Sequence, residues 1–249
     1  MGELDGARAL VTGAAGRIGR ATAVALAEAG AHVVASDVDA AGLEQTKKLL
    51  GEPHHTQVAD LASEEEINAL VAGAIGTLGG LSVLVNCAAI LNPGGTILDS
   101  TTETLDRALT VNTRAPYLVV RAALPHMLKQ GRGNIVNISS ILGLVGLAGQ
   151  SPYAVSKIGL IQLTRQVVVE YAAHGIRCNA ICPGATASPG ELDATADTRA
   201  FRDAITLAHP IGRLATPDEI ANVVVFLASD RSSFMNGAIV TADGGYTAQ

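Results

Sequence analysis

Short apolar runs alternate with longer helical patterns from one end of the chain to the other. Six of the runs end in small, polar or acidic residues: Thr12-Gly13, Asp37, Asp60, Asn86, Ser139-Ser140 and Pro183-Gly184. In an open parallel α/β sheet the carboxyl ends of the strands share one edge, and ligands bind in the crevice along it. Six such endings in chain order describe one site assembled from the whole chain. Tyr153 and Lys157, four residues apart at the start of a predicted helix, complete it.

The strand candidates are Arg8–Val11, His32–Ser36, His55–Ala59, Ser82–Val85, Asn134–Ile138, Arg177–Ile181 and Ala238–Thr241. Several are β-branched and nearly continuous in apolar residues, as strands covered on both faces should be. Between them lie helical stretches such as Ile18–Ala29, Ser63–Ile75, Ala115–Lys129, Tyr153–Ala173 and Pro217–Leu227. Strand-helix alternation at this spacing implies right-handed crossovers. The expected fold is a Rossmann-like, doubly wound parallel α/β sheet of seven strands with helices on both faces. No linker, composition shift or internal repeat divides the sequence, so residues 1–249 are read as one domain. The weakly patterned stretch from Ala185 to His209 is expected to be an irregular lid over a substrate.

Composition closes off other classes. Of 249 residues 48% are hydrophobic and 16% charged, enough for a large core. Net charge is −6 and no basic stripe is visible; with no Trp, four Tyr and three Phe, a nucleic-acid platform has no support. No apolar run reaches the ~18 residues of a membrane span. The first strand begins almost at once, leaving no room for a signal peptide, so a cytoplasmic enzyme is expected. Cys87, Cys178 and Cys182 lack metal-ligand spacing and read as small buried thiols in a reducing compartment; a reactive Cys87 is the other reading. The six histidines form no metal constellation, and His54-His55 reads as an exposed turn. No nucleophile-elbow sequence supports a serine hydrolase.

The segment from Ala9 through Gly13, Gly16, Arg17 and Ile18 to Gly19 runs from strand to turn to helix. Glycines let a backbone approach a pyrophosphate, and a helix N-terminus offers N–H groups and a positive dipole end. Asp37 follows Gly13 by 24 residues, near the distance at which an acid accepts hydrogen bonds from an adenosine ribose. Taken with Asp60-Leu61, Asn86-Cys87-Ala88-Ala89, Asn112, Ser140, Tyr153-x-x-x-Lys157, Pro183-Gly184 and the ending Val240–Gly245, the sequence resembles the short-chain dehydrogenase/reductase family over essentially its whole length. Two positions depart from the family pattern. Arg17 stands where the family's turn has its middle glycine, with Gly16 one residue early; either the turn is reshaped or its conformation tolerates a side chain. Arg17 then points to solvent or contacts a phosphate. Ala89 replaces the glycine of the family's Asn-Asn-Ala-Gly, with modest crowding expected.

Ser151-Pro152 ahead of Tyr153 reads as an N-cap and first helical residue, which puts Tyr153 in the first turn and Lys157 one turn later on the same face. Helix dipole and Lys157 ammonium should both favour a phenolate at Tyr153. The resemblance implies Tyr153 as general acid and base, Ser140 on the substrate oxygen, Lys157 on the nicotinamide ribose and Asn112 in a water-linked proton relay. It also implies Asp60 and Leu61 against adenine, Asn86 and Ala88 along the cofactor, and Pro183, Gly184, Thr186 and Ser188 near the nicotinamide carboxamide. Ser139 is the runner-up to Ser140, whose spacing of 13 residues to Tyr153 fits the family. The alternative for Asp60 is capping the next helix, although Ser63 fits that better.

Asp37 favours NAD over NADP, since it would repel a 2′-phosphate; Arg17 pulls the other way. The pocket is expected to comprise Ile90, Leu91, Ile141, Leu142, Leu144, Val145, Leu147, Gln150 and the 185–209 stretch, with Leu142 and Gln150 on the substrate. No Lys or Arg other than Lys157 stands beside the catalytic residues. The expected activity is NAD(H)-dependent interconversion of a neutral, apolar secondary alcohol and its ketone, without a metal. The alternatives are an NADPH-dependent 3-oxoacyl-thioester reductase and a non-catalytic nucleotide-binding scaffold. The resemblance further implies a homotetramer, with no nucleic-acid or membrane partner.

Overall fold

A computed structural model describes residues 2–91, 95–187 and 196–249. Seven strands, β1 (Arg8–Thr12), β2 (His32–Asp37), β3 (His55–Val58), β4 (Val83–Asn86), β5 (Gly133–Ile138), β6 (Ile176–Pro183) and β7 (Ile239–Ala242), form one sheet in the order β3-β2-β1-β4-β5-β6-β7. Every neighbouring pair is parallel. The helices are α1 (Arg17–Glu28), α2 (Ala40–Leu50), α3 (Glu64–Leu78), α4 (Thr102–Leu109), α5 (Ala115–Gln130), α6 (Ser151–Tyr171), α7 (Ala196–Leu207) and α8 (Pro217–Ala228).

Side chains on a strand alternate between faces, and each face here meets its own helical layer. Leu10, Val34, Leu84 and Ile135 pack with α3 and α5 through Ile67, Leu70, Val119 and Met127. Their strand neighbours Val11, Val33, Val85 and Val136 pack with α1 and α8 through Ala23, Leu26, Val224 and Leu227. Both faces are therefore dry, which is why the strands read as continuous apolar runs. The chain crosses from one side of β1 to the other between β3 and β4, so the strand-end crevice opens beside β1 and β4.

The expected strands all form, with ends displaced by a residue or two: β3 stops at Val58, and β4 and β7 run one residue later than expected. The irregular reading of 185–209 is corrected in part, because residues 196–207 are helical. Residues 188–195 lie outside the described residues. His54 is more than an exposed turn: it is half-buried and its Nδ1 accepts the N–H of Val33 at 3.2 Å.

Candidate active site

A cleft of about 1250 Å³ runs along the carboxyl ends of the strands. At its head, β1 hands over to α1. Gly13 has φ +72°, and a Cβ there would stand 2.5 Å from the Cα of Ala88, so only glycine fits. Gly19 is as constrained, since its Cβ would lie 2.1 Å from the Gly13 carbonyl oxygen. Gly16 has φ −75° and its nearest contact would be 3.3 Å away. Arg17 opens α1 with negative φ, so the turn keeps its shape and tolerates the side chain. Arg17 is exposed on the rim of the cleft.

The helices α2, α3, α4 and α8 are capped by Asp39, Ser63, Thr101 and Thr216, and Ser63 thereby takes the role weighed against Asp60. The α1 N-terminus, which faces the cleft, has no side-chain cap. Its first-turn N–H groups and dipole end suit an anion such as a pyrophosphate. The turn's carbonyls are held from behind by two residues with no recognisable sequence signature. Thr46 Oγ1 donates to Ala14 O at 2.7 Å, and Arg20 donates to Ala15 O at 2.9 Å. Asp37, half-buried at the end of β2, accepts the N–H of Ala15 at 2.9 Å and that of Asp39 at 3.0 Å. Farther along, Asp60 is exposed, its Oδ1 accepting from Ala62, while Leu61 is buried; both line the cleft with Ile18 and Ala88.

Two expected contacts are corrected. Asn86 does not line the cleft: its side chain is buried in the sheet and donates to Asn137 Oδ1 at 2.8 Å. Asn112 does not line it either. Its amide oxygen accepts from Ile90 N at 2.8 Å, and its nitrogen donates to Ile90 O and to Ser156 Oγ at 3.0 and 2.9 Å. The Asn112 side chain is spent on structure. It sits in a π-helical turn, Thr110–Arg114, and ties the segment after β4 to the catalytic helix.

Ser140, Tyr153 and Lys157 converge on the middle of the cleft. Ser140 follows β5 and caps a short 3₁₀ turn, its Oγ accepting from Leu142 N at 3.1 Å. The same hydroxyl favours the ionised form of the Tyr153 phenol. The α6 helix starts at Ser151, with Gln150 at the N-cap position and no side-chain cap, one residue earlier than expected; Tyr153 remains in its first turn. Lys157 is 1% exposed; its Nζ donates to Ile138 O at 2.9 Å and lies 5.6 Å from the centre of the Tyr153 ring. Ser139 is buried facing the helix, and its Oγ donates to Lys157 O at 2.8 Å, which makes it a positioning residue for Lys157.

Protonation departs from the sequence expectation. Burial pushes the Tyr153 phenol up to about 12, with Ser140 pulling partly back. Burial also brings Lys157 down to about 8. The charged form of each is penalised in a low-dielectric pocket. Cys87 lines the cleft as an inert thiol, pushed up to about 12 by burial.

The cleft is further walled by Ile90, Leu91, Ile141, Leu142, Leu147 and Gln150. Leu144 and Val145 are corrected: they are exposed and outside the wall. Pro183, Gly184 and Thr186 line it, whereas Ser188 lies outside the described residues. Tyr246, His209 and Arg107, none singled out from sequence, also line the cleft. Among the described residues no cluster of His, Cys, Asp or Glu is placed to hold a metal ion, and no helix is long and apolar enough to cross a membrane.

A doubly wound parallel sheet, a glycine turn with an open helix end and a Ser-Tyr-Lys set in the crevice define a nucleotide-dependent oxidoreductase. Residues 13–247 match the family model described as Enoyl-(Acyl carrier protein) reductase. The chain is 43% identical to the cis-4-hydroxycyclohexanecarboxylate dehydrogenase of Sinomonas cyclohexanicum, with 100% of both chains covered. It is 39% identical to the 2-(R)-hydroxypropyl-CoM dehydrogenase of Xanthobacter autotrophicus, covering 96% of this chain and 98% of that one. The crystal structure of levodione reductase superposes with a TM-score of 0.93 at 34% identity, covering 98% of this chain and 99% of that one. The chain belongs to the short-chain dehydrogenase/reductase family, whose members are NAD(P)-dependent oxidoreductases acting on CH–OH groups.

Proposed function

We propose that this protein interconverts a neutral, apolar secondary alcohol and its ketone with NAD(H), the whole chain acting as one catalytic domain. The observation that carries the reading is the convergence of Ser140, Tyr153 and Lys157 in a cleft headed by Asp37 and an uncapped helix end. The first turn of α1 would hold the pyrophosphate, Asp37 the adenosine ribose, Asp60 and Leu61 the adenine, and Lys157 the second ribose. Pro183, Gly184 and Thr186 border the nicotinamide, which when bound accepts or donates the hydride. Ser140 orients the substrate oxygen toward the Tyr153 hydroxyl. Tyr153 donates a proton to that oxygen in reduction and removes it in oxidation. Held protonated by burial, it is poised as the acid.

Asp37 supports NAD over NADP. Its carboxylate is fixed by two backbone N–H groups, so it cannot swing away from a 2′-phosphate without breaking them. The thioester-reductase reading needs that phosphate. The apolar wall, and relatives that by name act on cis-4-hydroxycyclohexanecarboxylate and on levodione, support a ring-bearing substrate. One observation favours a second reading, in which the substrate also carries an anion: the exposed Arg107 lines the cleft.

The test begins with purified protein and NAD+ or NADP+ in separate thermal titrations. A ligand that binds only the folded state at a hundredfold excess over its Kd stabilises by about 2.7 kcal/mol. A shift with NAD+ alone supports the reading; a shift with NADP+ alone replaces it with the thioester reductase. Tyr153→Phe that leaves turnover of cyclohexanol intact overturns the mechanism and returns the protein to a binding scaffold. Arg107→Met that raises KM for hydroxycyclohexanecarboxylate but not for cyclohexanol selects the anionic reading.

We also propose a homotetramer. Val155 and Ile158 on α6 and Tyr117 on α5 are 52%, 46% and 56% exposed, and a second copy of the chain covers them. A monomeric mass in solution overturns this. Cys87, Cys178 and Cys182, all unpaired, support a reducing, cytoplasmic setting.

A further inference from the structure

His209 is 3% exposed, and both ring nitrogens are engaged. Nε2 accepts from Ala185 N at 3.1 Å, and Nδ1 lies 2.8 Å from Ile205 O, to which it must donate. The imidazole is thus fixed as one neutral tautomer, joining the segment after β6 to α7. Its ring centre lies 5.1 Å from that of Tyr246. Room for the ring comes from Gly184, where a Cβ would stand 2.7 Å from Nε2. This gives Gly184 a reason to be glycine that is independent of any cofactor.

The ring also stands on a boundary. Behind it lies a second cavity of about 360 Å³ whose wall combines Ile211, Ile220 and Ala242 with Arg213, Glu219 and Asp243. Of the residues around it, Gly184, Ala185 and His209 line the cleft as well. Two of these three have little or no side chain, so the imidazole is the largest side chain common to both walls.

We propose that His209 is a specificity-determining residue: its imidazole is the end wall of the substrate space and limits how far a substrate extends beyond the reacting carbon. Without the ring, the second cavity joins the cleft and accepts an apolar tail. The inference rests on the cleft being the alcohol site proposed above.

The experiment compares kcat/KM for cyclohexanol and for a propyl-substituted cyclohexanol, at saturating NAD+, in wild type and His209→Ala. Wild type is to prefer the shorter alcohol. In the variant the ratio is to move toward the longer one by about tenfold or more, the scale that a few methylenes command in an apolar pocket. Free imidazole added to the variant is to restore the wild-type ratio by refilling the vacated place. His209→Asn shortens the wall while keeping polar atoms, and is to shift the ratio in the same direction should His209→Ala fail to fold. A variant in which both alcohols slow equally, with no response to imidazole, overturns the inference while leaving the cleft reading intact. Wild type that turns over neither alcohol, with either nucleotide, overturns the cleft reading and this inference with it.

Discussion

The carboxylate of Asp37 and the backbone N–H of Ala15 meet at 2.9 Å, joining the end of β2 to the phosphate-side turn. One acidic side chain thus shapes the turn and, in the proposed reading, selects the nucleotide. Asp37→Ala is to lose NAD affinity and gain NADP affinity, moving the ratio of the two kcat/KM values by about a hundredfold, or roughly 2.7 kcal/mol. Two backbone donors also lose their acceptor, so stability is to fall by about 1–3 kcal/mol. An unchanged nucleotide ratio in steady-state kinetics would exclude Asp37 as the selector.

The two glycines flanking the turn's apex are not equivalent. Gly16→Ala has a favourable φ and one close contact, 3.3 Å to the Gly13 carbonyl oxygen, and should leave Tm within a few degrees and retain nucleotide binding. Gly13→Ala drives a methyl to 2.5 Å from Ala88 in a left-handed backbone, and is to destabilise by about 3 kcal/mol or more. Urea unfolding of the two variants decides it; equal losses would show that the strain is misplaced.

Lys157 is predicted to be a functional residue that opposes folding. Its folded value of about 8 lies below the ordinary 10.5. Unfolding therefore takes up a proton between those values, and wild-type stability is to rise as pH climbs from 8 to 10.5. Below 8 the full cost of the buried ammonium applies, roughly 3 kcal/mol before other interactions. Lys157→Met is to abolish turnover and add about 1–2 kcal/mol at pH 7, after the lost bond to Ile138 O is subtracted. That gain is to shrink above pH 8. Chemical denaturation at pH 7 and 10 checks both signs, and a less stable variant at pH 7 refutes the account.

Ser140 pulls Tyr153 down from the full effect of burial. Alcohol oxidation, which uses the deprotonated phenol, is to accelerate with pH between 7 and 10, whereas ketone reduction is to be flat there. Ser140→Ala is to cut both by about a hundredfold and push the oxidation limb to higher pH. A pH profile of kcat/KM displaced toward acid would contradict this assignment.

Ser139 is expected to act through Lys157, not on substrate. Ser139→Ala frees the Lys157 carbonyl from its 2.8 Å bond and loosens α6 against β5. The expected signature is a fall in kcat of about tenfold with KM for the alcohol unchanged. A change confined to KM would move Ser139 to the substrate face.

The sheet was legible because its central strands β1, β2, β4, β5 and β6 are buried on both faces and read as apolar runs. The Tyr153-Lys157 pair and Asp37 were legible because their spacing follows helix and strand geometry. What sequence could not separate was the direction of side chains at strand ends. Asn86 sits beside cleft residues in the chain yet turns into the sheet, and Ser139, though on the cleft wall, gives its hydroxyl to α6. Thr46 and His209 act across 32 and 24 residues of chain, distances over which no local pattern exists. The Tyr153 expectation failed for another reason: counting neighbouring charges left out desolvation, which outweighs them here.

Because all seven strands are parallel, each one reaches the shared edge only after its chain has crossed back over a face of the sheet. Residues that meet in the cleft are therefore separated by whole crossover units, from Gly13 at one end to Tyr246 at the other. Such a topology is slow to form. It also leaves no fragment with a working centre: a nascent chain paused before β6 holds Ser140, Tyr153 and Lys157 but lacks the wall that Gly184 and His209 supply. Turnover, once measurable, reports that the last strand has docked, and it can serve as an assay of complete folding in destabilised variants.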